Sequence, residues 1–266
     1  MNVHPALGAQ AALPDLPTRD ILGTSVAALA WADALELLRG KLVTRSFTKV
    51  GFLNAHNANV ACNDPAFAAA LDDFLVLPDG VGVDIAARIL HGATFPDNLN
   101  GTDVVPALIA SIGEPITVGL LGATRENAGG AAERLAELAP QHRYVVIHDG
   151  FFRPEEEPAI LERLAEIRPD ILLVAMGVPR QEFWIASHLG PRFCTMPIAV
   201  GALLDFLSGN VPRAPEWMRA ARAEWVFRLW VEPSRLWRRY VLGNPVFLAR
   251  VLGQKLTGRR RRPALR

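Results

Sequence analysis

Short apolar segments alternate with helical patterns along most of this chain, and this alternation is the feature that most restricts its fold. Segments typical of buried strands recur six times, with at least one helical pattern between each and the next. Strands joined in this way run parallel in one sheet, with helices on both faces. We expect strands at 48–54, 74–77, 115–121, 143–148, 170–176 and 196–200. We expect helices at 26–39, 57–72 with a break near 63–65, 82–90, 103–112, 126–138, 158–167, 181–188 and 202–207.

The pattern changes after Pro212, where strand signals stop and amphipathic helical patterns interrupted by Pro233 and Pro245 fill 214–252. The charge changes at the same place. Residues 213–266 carry thirteen Arg and one Lys against three Glu, a net of +11, whereas residues 1–212 have a net charge of −10. We therefore predict a loose arm at 1–20, an α/β domain at 21–210 and a basic helical appendage at 211–266.

Tryptophan is concentrated in the same basic appendage, which holds four of the six Trp residues of the chain. Arginine and tryptophan together suit a surface that is anionic and partly apolar, such as a phospholipid interface or a lipid-linked phosphate. No nucleic-acid recognition module is visible, so nucleic acid is not the expected partner. The four are Trp217, Trp225, Trp230 and Trp237.

Several classes of protein are disfavoured by what the sequence lacks. No apolar run reaches the roughly 18 residues that a spanning helix needs, and residues 1–18 do not look like a signal peptide. Cys62 and Cys194 stand alone, which favours core residues in a reducing cytoplasm. There is neither zinc-ligand spacing nor a closely spaced Asp-x-Asp pair. We therefore expect no metal and no cofactor.

Polar residues follow the first two strands of the predicted sheet. Asn54 and Asn57 lie at the first strand exit, and Asp79 and Gly80 follow the second. Ligands of open α/β sheets bind at the carboxyl ends of strands, where amides can bind sugar hydroxyls and a carboxylate can act as a general base. The alternative is that these residues only cap helices and form turns.

Other polar loops carry the same two interpretations. Asn100, Thr102 and Asp103 open a predicted helix, and Gly122 stands at a strand–turn–helix junction that is too incomplete to be a dinucleotide fingerprint. Gln181 and Glu182 begin another helix after a buried strand, where Gln can read an amide or nucleobase and Glu can accept from ribose hydroxyls. Helix capping is the competing explanation at all of these positions.

Three arginines of the appendage recur at spacings of seven and four residues, so they share one face if the helix continues past Pro233. Such a face can bind a diphosphate through bidentate hydrogen bonds. A solvated basic face is the alternative, and the interleaved Trp favours an anionic interface. The three are Arg228, Arg235 and Arg239.

Four short motifs in this order resemble the WecG/TagA/CpsF family of bacterial glycosyltransferases, from about Ser46 to Leu248. One departure is that Phe52 stands where many members have the Thr of Thr-x-Asn, so no role of that Thr is carried over. The motifs are Leu77-Pro-Asp-Gly-Val-Gly82, Asn100-Gly-Thr-Asp103, Gly177-Val-Pro-Arg-Gln-Glu182, and the segment from Arg213-Ala-Pro-Glu-Trp217 to Arg239.

The resemblance implies a Rossmann-like fold and an inverting, metal-independent enzyme. Such an enzyme transfers a hexose or N-acetylhexosamine from a UDP-sugar to a polyprenyl-diphosphate-linked acceptor, for cell-surface polysaccharide, at the inner face of the cell membrane. It implies Asp79 as the base, Gln181 in the donor site and the appendage arginines over the diphosphate. Two alternatives stay open, a nucleotide-binding oxidoreductase and a non-catalytic, basic-tailed binding protein. The sequence leaves the oligomeric state open, and a homo-oligomer is possible.

Overall fold

The computed structural model of the protein describes residues 16–220 and 223–258, and for residues 219, 220 and 235 it describes the backbone alone. Eight strands lie in this part of the chain. They are β1 Thr18–Ile21, β2 Thr24–Ala27, β3 Lys49–Leu53, β4 Phe74–Pro78, β5 Thr117–Gly122, β6 Arg143–His148, β7 Ile171–Ala175 and β8 Met196–Ala199.

Strands β3 to β8 form one six-stranded sheet in the order β4-β3-β8-β7-β5-β6, and every neighbouring pair is parallel. The four strands β3, β4, β7 and β8 are buried along their whole length. Such strands read as continuous apolar runs because both faces of the sheet are covered. The predicted parallel sheet with flanking helices is confirmed.

Thirteen α-helices are described. They are α1 Trp31–Val43, α2 Ala55–Asn63, α3 Pro65–Leu71, α4 Val81–His91, α5 Gly101–Ala110, α6 Arg125–Leu138, α7 Glu157–Ile167, α8 Arg180–His188, α9 Leu203–Leu207, α10 Glu216–Ala220, α11 Glu224–Val231, α12 Pro233–Trp237 and α13 Gly243–Thr257.

The helices cover the sheet in two layers, each with its own hydrophobic core cluster. One cluster receives side chains from α1, α5, α6 and α9, and the other from α2, α4, α7, α8 and α13. Alternate residues of a strand serve the two clusters. On β7, Ile171 and Leu173 belong to the first, whereas Leu172 and Val174 belong to the second. The carboxyl ends of all six strands are left at one edge between these layers.

The amino-terminal helix lies later in the chain than expected. It was predicted at 26–39 and is found at Trp31–Val43. Strands β1 and β2 form an antiparallel hairpin instead, with Ile21 paired to Thr24. The two turn residues, Leu22 and Gly23, have φ angles of 53° and 86°. A two-residue turn with positive φ matches the twist of a hairpin, but Leu is not a typical residue for it, so the turn is hard to recognise from the sequence.

The carboxyl-terminal segment is helical, and the predicted break at Pro233 is present, because α11 ends at Val231 and a new helix begins at Pro233. Pro233 is the first residue of α12, and Pro245 lies in the first turn of α13, where an N–H is not required. A π-helical turn, Arg238–Leu242, joins α12 to α13. Because Pro245 has no N–H, the carbonyl of Val241 in this turn cannot accept from residue 245 as it would in a regular α-helix.

Helix α13 packs on α2 and α4 rather than standing apart. Phe247 and Val251 on this helix are fully buried in a core cluster. The boundary near Asn210 and the division into arm, domain and appendage stay predictions. Residues 1–15 of the predicted arm, and the basic run at 259–262 of the predicted appendage, lie outside the described residues.

Candidate active site

A cleft of about 450 Å³, the first cleft, runs along the edge where the sheet strands end. The loops after all six strands contribute to its lining. One residue from each, taken from β3 to β8 in chain order, is Asn54, Asp79, Thr124, Phe151, Gly177 and Gly201.

A second cleft of about 290 Å³ lies between the start of α4 and the carboxyl-terminal helices. Its lining is more apolar and includes Ile85, Trp225, Tyr240, Phe247 and Leu248. The two clefts meet, because seven residues line both of them. These are Asn54, His56, Asp79, Thr102, Phe206, Arg228 and Arg239.

Asp79 is the one carboxylate among the seven residues that line both clefts. Its Oδ2 accepts a hydrogen bond of 3.0 Å from Nδ2 of Asn54, and its backbone N–H donates to the carbonyl of Leu53. Burial raises the pKa of Asp79, while the hydrogen bond from Asn54 and the charges of Arg239 and Arg228 oppose that rise. A partly enclosed carboxylate of raised pKa is a stronger base than a solvated one.

Asn54 connects the local fold to that carboxylate. Its Oδ1 caps α2 by accepting from the backbone N–H groups of His56 and Asn57, which leaves Nδ2 for Asp79. One side chain therefore caps the helix and also contacts the carboxylate of Asp79. Asn57 also lines the first cleft, and its Nδ2 donates to the carbonyl of Phe52 over 2.8 Å.

His56 lies beside this pair, and its ring is neutral at physiological pH. Burial, helped by the positive charge of Arg239, lowers the pKa of His56 to about 4. A neutral imidazole can donate one hydrogen bond and accept another, so His56 is suited to an uncharged part of a ligand.

The polar loop before α5 both caps that helix and reaches the clefts. Asn100 caps α5 through Asp103 N–H, and with Thr102 it lines the second cleft. Asp103 accepts from Asn100 over 2.8 Å and forms an ion pair with Arg213. This pair connects the start of the carboxyl-terminal segment to the helix that begins beside the clefts.

Of the two predicted glycines, Gly80 lines a cleft, whereas Gly122 allows two strands to pack closely. Gly80 lines the second cleft with φ of +92°, and its N–H donates to Asn98 over 2.8 Å. Gly122 serves packing, since a Cβ there would lie 2.3 Å from the carbonyl oxygen of Ala175 and its φ is +126°. It keeps β5 close to β7 at the strand exit.

The family of this chain follows from its sequence match over residues 19–261 to the family described as "Glycosyl transferase WecG/TagA/CpsF family". The chain belongs to this glycosyltransferase family. It is similar to proteins named N-acetylglucosaminyldiphosphoundecaprenol N-acetyl-beta-D-mannosaminyltransferase. The one from Bacillus spizizenii is 30% identical over 82% of this chain and 81% of the relative. The Bacillus subtilis relative is 30% identical over 68% and 69%, and a Staphylococcus aureus relative is 32% identical over 51% and 52%.

In this glycosyltransferase Gln181 lines the first cleft, whereas Glu182 packs behind it and both side chains are 2% exposed. Nε2 of Gln181 donates to Oε1 of Glu182 over 2.9 Å, and Oε1 of Gln181 accepts from Gly201 N–H over 3.1 Å. Burial raises the pKa of Glu182 to about 7. The predicted pair is thus brought together at the cleft wall.

Two of the three predicted arginines reach the site. Arg228 and Arg239 line both clefts and act electrostatically on Asp79. The Arg228 guanidinium also lies over the ring of Phe206, 5.0 Å from its centroid. The side chain of Arg235 lies outside the described part of the structure.

Phe206 and Tyr240 were not predicted as site residues, although both line the second cleft. Aromatic residues in apolar segments look like core residues in a sequence. The signal that was available is their position: Phe206 is in the helix after the last strand, and Tyr240 directly follows Arg239.

Residues 16–220 and 223–258 contain neither a metal-binding cluster nor a membrane-spanning helix. No cluster of three or more His, Cys, Asp or Glu side chains there is arranged to hold a metal ion. Within the same residues, none of the helices combines the length and the apolar character needed to cross a membrane.

Proposed function

We propose that this glycosyltransferase moves a hexose or N-acetylhexosamine from a UDP-sugar to a polyprenyl-diphosphate-linked acceptor, with inversion and without a metal ion. The observation that carries the proposal is the meeting of two clefts at Asp79, with Arg228 and Arg239 beside it. A transferase needs two substrates to meet at one base, whereas a binding protein needs only one site.

The first cleft is the proposed donor site. Its volume of about 450 Å³ falls in the usual range of small-molecule sites. It is lined by peptide groups at strand exits and by Thr124, the cap residue of α6. Helix starts and strand exits of α/β sheets are favourable places for nucleotide phosphates. Asn54, Asn57 and Gln181 add neutral hydrogen-bonding groups for the sugar and the base.

The second cleft is the proposed acceptor site, because it joins an apolar lining to the shared polar residues. The similar proteins are named for transfer to N-acetylglucosaminyldiphosphoundecaprenol. An acceptor of that kind has a sugar hydroxyl to place near Asp79, a diphosphate for arginine and an apolar chain. We therefore choose it as the first acceptor to test.

In the proposed step the acceptor hydroxyl oxygen attacks the anomeric carbon from the face opposite the UDP. A new C–O bond forms while the bond from that carbon to the UDP oxygen breaks, and UDP leaves with the electron pair. Asp79 takes the hydroxyl proton. The configuration at the anomeric carbon is inverted because attack and departure occur on opposite faces.

Negative charge grows on the leaving diphosphate during this step. Arg228 and Arg239 are placed to neutralise it, since both line the clefts that meet at Asp79. Guanidinium groups remain charged and bind two oxygens at once. Electrostatic stabilisation of developing charge is a large contribution to catalysis, and here we assign it to arginine rather than to a metal.

We also propose that the protein works at the inner face of the cell membrane. Large apolar side chains on the carboxyl-terminal helices are exposed, including Trp217 at 70%, Trp230 at 79% and Leu256 at 86%. They share this segment with the arginines. Basic residues near an anionic lipid surface contribute roughly 1 kcal/mol each, so this surface suits reversible docking beside a lipid-linked acceptor.

Measuring UDP release tests the proposal. Purified enzyme is given a panel of UDP-sugars with a short prenyl-diphosphate-linked N-acetylglucosamine, with and without EDTA. We expect UDP release with one donor, undiminished by EDTA, and an anomeric configuration of the product opposite to that of the donor by NMR. Absence of UDP release with every donor would contradict transfer from a UDP-sugar, and EDTA inhibition reversed by Mg²⁺ would contradict metal independence.

A further inference from the structure

The carboxyl group of Glu182 is buried, and it has no part in the proposed reaction. It is 2% exposed, and Oε2 has no hydrogen-bond partner among the described residues. A buried polar atom without a partner has a cost in the stability of the fold. An apolar residue would avoid this cost, so the carboxyl has to provide something else at this position.

Its other oxygen fixes the Gln181 amide. Oε1 of Glu182 accepts from Gln181 Nε2, and the Gln181 carbonyl oxygen accepts from Gly201 N–H. If the Gln181 amide were rotated by 180°, its NH2 group would face the N–H of Gly201, and its oxygen would face the acceptor oxygen of Glu182. Neither hydrogen bond could then form. Only one amide orientation therefore satisfies both neighbours.

Gly201 connects this pair to the first cleft. It belongs to the loop after β8, residues 200–202, and all three of these residues line the cleft. Gln181 itself lines the cleft, and its side-chain nitrogen carries a second hydrogen besides the one donated to Glu182. The carboxyl thus acts at the cleft through one intermediate side chain.

We propose that Glu182 is a positioning residue that holds Gln181 in its single productive orientation and thereby shapes the part of the first cleft that Gln181 and Gly201 line. It does so without touching the donor. This inference rests on the proposed function for its ligand, but its geometric part does not. Misplacing a binding group by about 1 Å can cost on the order of 10² in rate.

The test compares two substitutions of Glu182 that differ in one property. Glu182→Gln keeps an acceptor oxygen for Gln181, whereas Glu182→Met keeps the length of the side chain and removes the acceptor. We expect Glu182→Met to raise the UDP Kd and the donor KM about tenfold or more, with a smaller change in kcat, and Glu182→Gln to stay within about threefold of the wild type. Equal behaviour of the two variants would overturn the proposal.

A double-mutant cycle isolates the route of action. If Glu182 acts through Gln181, then Glu182→Met adds nothing to the UDP Kd in a Gln181→Met background. Additive effects would contradict the proposal. Lys49→Met is the matched control, because Lys49 is also a buried polar residue but lies at the opposite end of β3, next to Asp73. It should lower thermal stability without changing the UDP Kd.

Amide hydrogen exchange at Gly201 tests the geometry without any ligand. Glu182→Met should speed exchange of the Gly201 N–H about tenfold, since its acceptor is no longer held, whereas Glu182→Gln should leave it unchanged. Unchanged exchange in Glu182→Met would overturn the positioning role. Failure of the wild type to bind UDP would instead contradict the donor assignment and leave this exchange result standing on its own.

Discussion

Glu182 and His56 show how two residues near the same clefts are moved away from their charged forms. Burial raises the pKa of the Glu182 carboxyl to about 7 and lowers the pKa of the His56 ring to about 4. Both shifts have the same cause, because an enclosed site disfavours charge of either sign. The guanidinium groups that line the clefts are those of Arg228 and Arg239, and the carboxyl groups that line them are those of Asp79, Asp205 and Glu224.

Glu182 leads to a prediction for stability against pH. Its pKa is about 7 when folded and 4.5 in its ordinary state, so between these values the folded protein holds the proton more tightly. Its contribution to stability is therefore present below about pH 4.5 and is lost as pH rises through 7. Glu182→Gln should be more stable than the wild type at pH 8, by on the order of 3 kcal/mol at most.

Urea unfolding at pH 5 and pH 8 measures this difference. The gain of Glu182→Gln over the wild type should be larger at pH 8 than at pH 5. A gain that is the same at both pH values would show that the Glu182 carboxyl does not titrate in this range.

At the scale of elements, helix α13 has one buried face and one exposed face. Phe247 is fully buried against α2 and α4, where it also borders the second cleft, while Leu256 on the same helix is 86% exposed. Burying a Phe side chain stabilises a fold by about 1.5–3 kcal/mol. The helix is therefore held to the α/β layers by its buried face.

Paired substitutions on α13 test that description. Phe247→Ala should lower the free energy of unfolding by about 3–5 kcal/mol, because it removes transfer free energy and leaves a cavity. Leu256→Ala should change it by less than about 0.5 kcal/mol. Chemical denaturation of both variants measures the two values, and similar losses would contradict the observed packing.

The sequence predicted the sheet well because fully buried parallel strands leave long apolar runs. It missed the β1–β2 hairpin, whose strands are four residues each and whose turn is Leu22-Gly23. It predicted the break between helices at Pro233, which is observed, but it also predicted an interruption at Pro245, which lies in the first turn of α13. Short strands and prolines take their meaning from neighbours that are distant in sequence, so local pattern alone does not determine them.

The same reasoning applies to the site. Asn54, Asp79 and Gln181 were identifiable because polar residues at parallel strand exits must gather at one edge of the sheet. Glu182 contacts Gln181, and Tyr240 lines the second cleft. Both positions depend on tertiary packing, which the spacing of residues in the sequence does not reveal.

At the scale of the whole molecule, exposed tryptophans and arginines of the carboxyl-terminal segment are proposed to meet the membrane. The double variant Trp217→Ala/Trp230→Ala should bind vesicles of anionic phospholipid at least tenfold more weakly than the wild type. UDP affinity should not change, because neither residue lines a cleft in the described structure.

Vesicle cosedimentation measures the binding, and Val43→Ala is the control. Val43 is 83% exposed on α1, outside the carboxyl-terminal segment. Its substitution should leave vesicle affinity unchanged. Wild-type affinity in the tryptophan variant would contradict docking through this surface.

The central claim is that Asp79 is the base at the place where two substrates meet, and the rate of UDP release by Asp79→Asn tests it most directly. We expect turnover to fall about 10²–10⁴-fold with the UDP Kd within about twofold of the wild type, while Asp33→Asn, an exposed residue of α1, keeps full activity. Asp79→Asn that turns over like the wild type would contradict the account.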